Sequence, residues 1–459
     1  MQTNFTPEQL ADPRIAEAES ILRRCVHCGF CTATCSTYVL LGDERDSPRG
    51  RIYLIKEMFE TGEDASREVT THVDRCLTCL SCMTTCPSGV DYLHLSDLAR
   101  AHIHETGRRG LMDRMTRGLL ARVLPYPSRF RAALWAAMLG RPLAPLFRAV
   151  GLKPMAAMLA LAPRFGPARG GIVAPGVYPP DGERTRRVAL LTGCAQQAIA
   201  PQINAATIRL LNRHGVEVVV PEQQGCCGAL VHHMGHEDDS REQARRNVDA
   251  WSAAERDGGL DAILINASGC GTMVKDYGHL FARDEGYRER AAALASKTRD
   301  ITEFLAEIGL KPSENWTGLT VAYHSACSMQ HGQRIHTEPR ALLRQAGYTV
   351  AEVPEGHICC GSAGTYNITQ PEIAADLRER KLKNIRSVRP DVVAAGNVGC
   401  ITQLQGARDL PVVHTVELLD WALGGPCPKP LTHLAGRVRR VRDLIDETVS
   451  AAANEKTNH

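Results

Sequence analysis

The chain has 459 residues, 44% apolar and 23% charged, with a formal net charge of +3 and 17 cysteines. That length supports two or three domains with cores of their own. The near-neutral balance and the 5% aromatic content exclude a nucleic-acid-binding chain, and the lack of an 18-residue uncharged apolar run excludes a transmembrane helix. The stretch Met1-Gln-Thr-Asn-Phe-Thr-Pro-Glu8 has neither the basic nor the apolar region of a secretory signal. A cytoplasmic, reducing location is therefore expected, where an odd set of 17 cysteines serves as metal or cluster ligands rather than disulfides.

Two four-cysteine runs come first. One is Cys25-x-x-Cys28-x-x-Cys31-x-x-x-Cys35, the other Cys76-x-x-Cys79-x-x-Cys82-x-x-x-Cys86-Pro87. This is the spacing of bacterial two-cluster ferredoxins, in which three thiolates of one loop take three corners of a [4Fe-4S] cube. The fourth corner goes to the last cysteine of the other run. Cluster one is expected on Cys25, Cys28, Cys31 and Cys86, and cluster two on Cys76, Cys79, Cys82 and Cys35. Pro87 can turn the chain away from the cluster, whereas Ser36 follows Cys35, a departure that touches the turn and not the ligand. Zinc is the alternative, but its sites usually pair two C-x2-C units across a longer gap.

Residues 108–171 carry twelve basic side chains and one acid, Asp113. The segment is rich in Leu, Ala and Met and broken by prolines, a pattern of short amphipathic helices with a basic face. Such helices can meet an anionic membrane surface, or pack the cysteine-run part of the chain onto its second half.

The next eight cysteines repeat. Cys194, Cys226-Cys227-Gly228 and Cys270 recur as Cys327, Cys359-Cys360-Gly361 and Cys400, at offsets of 133 for the first three and 130 for the last. The flanks Val188-Ala-Leu-Leu-Thr-Gly and Val321-Ala-Tyr-His-Ser-Ala repeat too, as do Val220-Pro-Glu and Val353-Pro-Glu. This is an internal duplication. Each copy alternates strand and helix. In the first these are 188–192, 203–213, 216–220, 238–254 and 262–266. In the second they are 319–323, 339–345, 348–353, 371–385 and 392–395. The alternation predicts parallel sheets, with the cysteines just past strand C-termini, where open α/β sheets bind ligands. These eight are candidates for a further metal or cluster, for zinc, or for thiol pairs. His232, His233 and His236 follow the first Cys-Cys-Gly as candidate groups around a metal. Cys427 reads as a free thiol. No fingerprint for a flavin or nicotinamide stands out.

The predicted fold is a multi-domain α+β chain. An α-helical ferredoxin-like domain (1–107) precedes a basic linker (108–180), two α/β Cys-Cys-Gly domains (181–312 and 313–430), and a C-terminal helix and tail (431–459).

Several motifs together resemble the iron–sulfur subunits of bacterial glycolate dehydrogenases, also called glycolate oxidases. They are Cys25-Val-His-Cys-Gly-Phe-Cys, Ser47-Pro-Arg-Gly-Arg-Ile-Tyr-Leu-Ile-Lys56, Asp74-Arg-Cys-Leu-Thr-Cys79, Ala267-Ser-Gly-Cys-Gly271 and Cys359-Cys-Gly-Ser-Ala-Gly-Thr-Tyr366. Heterodisulfide reductase subunits, lactate-utilisation proteins and the small subunit of anaerobic glycerol-3-phosphate dehydrogenase share the wider superfamily. The resemblance implies an electron-transfer subunit of a complex that oxidises glycolate to glyoxylate on flavin-binding partners, with electrons passing to a quinone. It also implies peripheral contact with the inner face of a membrane, and no flavin, NAD or catalytic residue on this chain. In the disulfide-reductase relatives the last cysteine of each repeat belongs to a C-x-x-C pair. Here Met273 and Gln403 stand at that place, so each repeat offers four cysteines. A thiol–disulfide reductase, a lactate or glycerol-3-phosphate dehydrogenase subunit, and a zinc scaffold are the rival readings.

Overall fold

A computed structural model describes residues 1–437 except 108, 164, 165, 169, 171, 406 and 408, together with 439 and 440. Arg108, Arg164 and Arg169 of the basic segment lie outside the described residues, as does the expected C-terminal helix beyond 440. Residues Lys429–Arg437 form a 3-10 helix.

The first hundred residues are helical. Helices Pro13–Arg24, Pro48–Thr61, Arg67–Asp74 and Tyr92–Thr106 start on side-chain caps from Asp12, Ser47, Ser66 and Asp91. Each cap oxygen accepts from a backbone N–H that the first turn would otherwise leave unpaired. Helix 48–61 places Ile52, Ile55, Met58 and Phe59 on its buried side, the helical spacing of a core face. They meet Leu22, Val73, Leu95 and Ile103 in one apolar cluster. The cysteine runs occupy the connections between these helices.

The duplicated half forms two sheets. The first holds β1 (Gly176–Tyr178), β2 (Arg186–Leu191), β3 (Val216–Val220), β4 (Ala262–Ile265) and β5 (Thr298–Asp300), in the order β1-β3-β2-β4-β5. A short ribbon pairs β6 (Asn315–Trp316) with Arg439–Arg440. The second sheet holds β7 (Thr320–His324), β8 (Thr349–Ala351), β9 (Val392–Ala395) and β10 (Val412–His414), in the order β10-β9-β7-β8. From β3 to β5 and from β8 to β10 the two orders are the same, so the duplication extends to the sheets. All pairs in the second sheet are parallel. The first has one exception to the predicted parallel pattern, since β1 runs antiparallel to β3 at the edge. That strand comes from the stretch expected to be linker. The two sheets share one core, with Val188, Leu210, Ile301, Leu319, Val392 and Leu418 in a single cluster.

The basic segment folds into helices Leu111–Val123, Pro127–Gly140, Ala144–Ala149 and Lys153–Leu161. One side packs. Leu120 meets Val231 and Met234, Leu134 meets Ala198, and the buried Arg117 pairs with Asp74 at 2.9 Å. The other side leaves Leu111, Met115, Leu139, Leu146 and Val150 exposed beside exposed Arg114, Arg122, Arg129 and Arg148.

A histidine-rich seam joins helix 92–106 to the first repeat. His94 bridges Asp91 (2.7 Å) and Asp276 (3.1 Å) and stacks on His279, with ring centroids 3.6 Å apart. Burial lowers the pKa of His94, but the two carboxylates outweigh it and raise it to about 10. His232 pairs with Asp97 at 3.1 Å, and His236 lies against His104. The three histidines after the first Cys-Cys-Gly therefore face the helical domain. His232 answers the Asp97 carboxylate across that seam, whereas His236 meets another imidazole, that of His104.

Candidate redox centre

The two runs build two cavities. One, of about 430 Å³ with its mouth, is lined by Cys25, Cys28, Cys31 and Cys86, with Cys82 and Pro87 at its edge. The other, of about 320 Å³, is lined by Cys35, Cys76, Cys79 and Cys82. Pro48, Cys82 and Tyr92 border both, so the cavities are neighbours. In each run the residues on either side of the second cysteine are left-handed: His27 (φ 58°) and Gly29 (86°), Thr78 (48°) and Leu80 (61°). Three of these four are not glycine, and each such residue costs about 1–2 kcal/mol. Strain repeated at matching places in two loops points to a shared function. The loops bend around a space.

Chemistry distinguishes the cavities. Cys28 is exposed, flanked by exposed Val26 and Phe30. The second cavity is buried and rich in donors. Burial pushes the Cys76 thiol up, but Arg51, Arg100, the Thr78 N–H at 3.4 Å and the Tyr92 hydroxyl at 3.7 Å bring it below its ordinary value. Arg51, 1% exposed, reaches Cys35 Sγ at 3.9 Å and Asp46 at 3.3 Å. Donors and positive charge at cluster sulfurs are what tune a cluster's potential. A tetrahedral zinc with Zn–S of about 2.3 Å gathers its sulfurs to about 3.8 Å. Among the described residues, no three of these eight sulfurs form a group that close. The donor set therefore suits a larger, all-thiolate group better than a single zinc ion.

The repeat cysteines fall into two sets. Cys194, Cys226 and Cys327 follow strand ends, as expected. Cys270 and Cys400 instead lie in helices Ser268–Lys275 and Val398–Leu404, because the helix starts directly after the strand. In the second repeat Cys327 Sγ and Cys359 Sγ are 3.8 Å apart. Cys400 Sγ accepts from Asn397 Nδ2 at 3.5 Å, and its thiol pKa falls to about 5, held down first by Cys360 and then by His324. This set abuts the buried cavity. Cys359 and Ile358 pack with Leu77 of the second run, and Cys79 and Cys327 lie against the same cluster. The Cys359 N–H donates to Ser36 Oγ at 3.0 Å, and the Tyr366 hydroxyl to Arg75 O at 3.0 Å. Ser36 thus does more than shape a turn. Its hydroxyl, 1% exposed, satisfies a buried amide that would otherwise cost about 1–3 kcal/mol. Cys427 is half-buried, packs against the core shared by the two sheets, and donates its thiol to Pro428 O at 3.6 Å.

Sequence reasoning missed Arg51, Tyr92 and His324. Arg51 stands in the Pro-Arg-Gly-Arg-Ile stretch, but its burial carries no signal in the sequence. His324 stands where the first copy has Leu191, an apolar-to-polar exchange that aligning the two copies brings out.

Helical cysteine loops joined to paired cysteine-rich α/β domains define an iron–sulfur protein. The profile of the 4Fe-4S dicluster domain matches residues 24–90, and that of the cysteine-rich domain matches 188–275 and 321–405. The chain is 41% identical to the glycolate oxidase iron-sulfur subunit of Escherichia coli (strain K12), over 92% of this chain and 99% of that protein. It is 31% identical to a probable glycolate oxidase iron-sulfur subunit of Bacillus subtilis (strain 168), over 88% and 95%. Lactate utilization protein A of Bacillus licheniformis matches at 29% over 51% of this chain. The chain belongs to the family of glycolate oxidase iron-sulfur subunits.

Proposed function

We propose that this chain is the electron-transfer subunit of a flavin-linked glycolate dehydrogenase. One cluster sits on Cys25, Cys28, Cys31 and Cys86, the other on Cys76, Cys79, Cys82 and Cys35. The observation that supports this reading is the pair of neighbouring cavities, which between them gather three cysteines of one run and the last of the other, with Cys82 bordering both. Bound clusters supply one-electron transfer. The chain's own part is to hold them, to bury one and to present the other. Glycolate is oxidised on a flavoprotein partner, which docks where Cys28, Val26 and Phe30 are exposed, an apolar patch beside a ligand. A quinone is the acceptor. The test is the assembled complex under anaerobic conditions. Glycolate should reduce two interacting [4Fe-4S] centres, seen by low-temperature EPR, at a rate that supports turnover. Reduced flavin with both centres left oxidised would reject the assignment.

The exposed arginine and leucine face of residues 111–150 is the membrane-contact surface in this reading. Among the described residues no helix is long and apolar enough to cross a membrane, so contact would be peripheral. Each basic residue near an anionic surface contributes about 1 kcal/mol. Replacing Arg114, Arg122, Arg129 and Arg148 with Gln should lower co-sedimentation with phosphatidylserine vesicles about 100- to 1,000-fold. Equal binding of wild type and variant would remove the membrane role.

A further inference from the structure

We propose that Asp97, His232 and His233 form a proton-holding site coupled to the buried cluster, taking up a proton when that cluster takes up an electron. The inference rests on the two-cluster reading above. The site lies where helix 92–106 meets the turn after the first Cys-Cys-Gly. Gly235, left-handed at φ 87°, lets that turn press against the helix, since a side chain there would strike Arg100 O. Asp97 then meets His232 at 3.1 Å, and His233 Nδ1 stands 4.0 Å from the other carboxylate oxygen. Asp97 Oδ1, His232 Nδ1 and His233 Nδ1 are buried and have no hydrogen-bond partner among the described residues. Buried polar atoms are normally paired, so three orphans at one place mark a site with a vacancy for a proton or solvent. Asp97 and His232 also line a cavity of about 1050 Å³ with its mouth, wide enough to admit water. At the matching places of the second repeat stand Thr365 and Tyr366, neither of which titrates near neutral pH.

The surrounding charges leave the two histidines unequal. Burial opposes a charge on His232, but Asp97, Asp276 and Glu237 outweigh it and raise the histidine above its ordinary value. Burial prevails at His233 over the same Asp97, with Arg100 and His232 adding to it, and the pKa falls to about 4. The other cations of the cavity wall, His94, His279, Arg241 and Arg283, are each paired with a carboxylate. Arg100 connects the site to the cluster. Its guanidinium donates to Thr78 Oγ1 at 2.5 Å and Cys76 O at 2.8 Å, inside the second run. Against burial, Arg51 and this same Arg100 lower the Cys76 thiol, and Arg100 also opposes a proton on His233. An electron on the cluster sets negative charge against Arg100, weakens its field at the histidines and tightens their hold on a proton. The step balances. Reduced flavin, the donor in the reading above, gives one electron to the cluster, and solvent gives one proton to the triad. Both leave on reoxidation.

The experiment is an anaerobic redox titration of the assembled complex, read by EPR from about pH 6 to about pH 9. It compares wild type with Asp97→Asn and with the double variant His232→Gln/His233→Gln. In wild type the potential of the buried cluster should fall with pH above about 6.5, the ordinary histidine value. The fall should amount to at least a tenfold change in equilibrium across the range, about 59 mV for one electron. The exposed cluster at Cys28 should stay level. The double variant should lose the slope. Asp97→Asn takes away the charge that holds the proton on His232, so it should move the slope to lower pH. A level potential in wild type overturns the proposal. So does a slope that survives in the double variant, since His72, the other buried histidine near that cluster, would then carry it. If the double variant fails to assemble, Asp97→Asn decides, and a slope at unchanged pH overturns the site. Iron near about four with no buried-cluster signal would sink the two-cluster reading and this one with it, whereas about eight irons with a level potential sink this one alone.

Discussion

Replacing Cys86 with alanine is expected to remove the cluster of Cys25, Cys28 and Cys31, and to spare the one nearest in sequence. The cavity bordered by Cys86 is the one built by the first run, and the cavity built by the second run takes Cys35. Three thiolates on one short loop cannot supply a fourth from the same loop without reversing it, and the proposed ligation therefore crosses between runs. The iron of the helical domain should fall by half, from about eight to about four atoms, and glycolate-driven turnover of the complex to background. The double variant Cys28→Ala/Cys86→Ala makes the pairing unambiguous. Crossed ligation leaves that variant one intact cluster, whereas pairing within each run would leave it none. Iron content and EPR spin quantitation read the difference directly.

The second large effect is expected at Arg51. Its guanidinium donates to His72 O at 2.7 Å and Thr37 Oγ1 at 3.0 Å, pairs with Asp46, and reaches Cys35 Sγ. A buried cation against cluster sulfur favours the reduced, more negative state, so it raises the potential of the buried cluster. Arg51→Gln should shift that potential downward by about 60 mV or more, the one-electron equivalent of a tenfold change in equilibrium. The exposed cluster at Cys28 should hold its value. Arg51→Lys keeps the charge and should recover most of the shift. Removing one partner of a buried ion pair costs about 3–5 kcal/mol. Here Arg75 at 2.9 Å and His72 at 2.9 Å still answer Asp46, so the loss should fall below that range. A redox titration in which Arg51→Gln leaves both potentials in place would refute this account of tuning.

Where the sequence was legible, one strong local cause was at work. Cysteine spacing is such a cause, because a loop of three ligands permits few shapes. So are the β-branched runs 216–220 and 392–395, whose ends match β3 and β9 to the residue. The three-residue strands β1, β5 and β10 were not legible. They are too short for any alternation to show, and they exist because a neighbouring strand offers its edge. Strand 348–353 shrank to Thr349–Ala351 for the opposite reason, since only those residues pair with β7. At the site, the two Cys-Cys-Gly repeats look equivalent in sequence. Which one meets the clusters depends on Leu77, Ile358 and Tyr366, ordinary apolar residues far apart in the chain. Ser36 looked like a lapse from the motif because its partner, the Cys359 amide, lies 323 residues away.

That distance fixes an order of events during synthesis. The helical domain leaves the ribosome first, with both cysteine loops open, while the segment that covers the second cavity is made nearly three hundred residues later. Once Cys359, Ile358 and Tyr366 close over Leu77 and Arg75, the inner loop is sealed and the outer one at Cys28 is still open to solvent. The arrangement is that of a box loaded before its lid is fitted: the inner cluster is expected to enter before residues 358–366 close, and the outer one to exchange more readily in the finished protein. Oxidative damage should follow the same geography, with loss and repair concentrated at the exposed end.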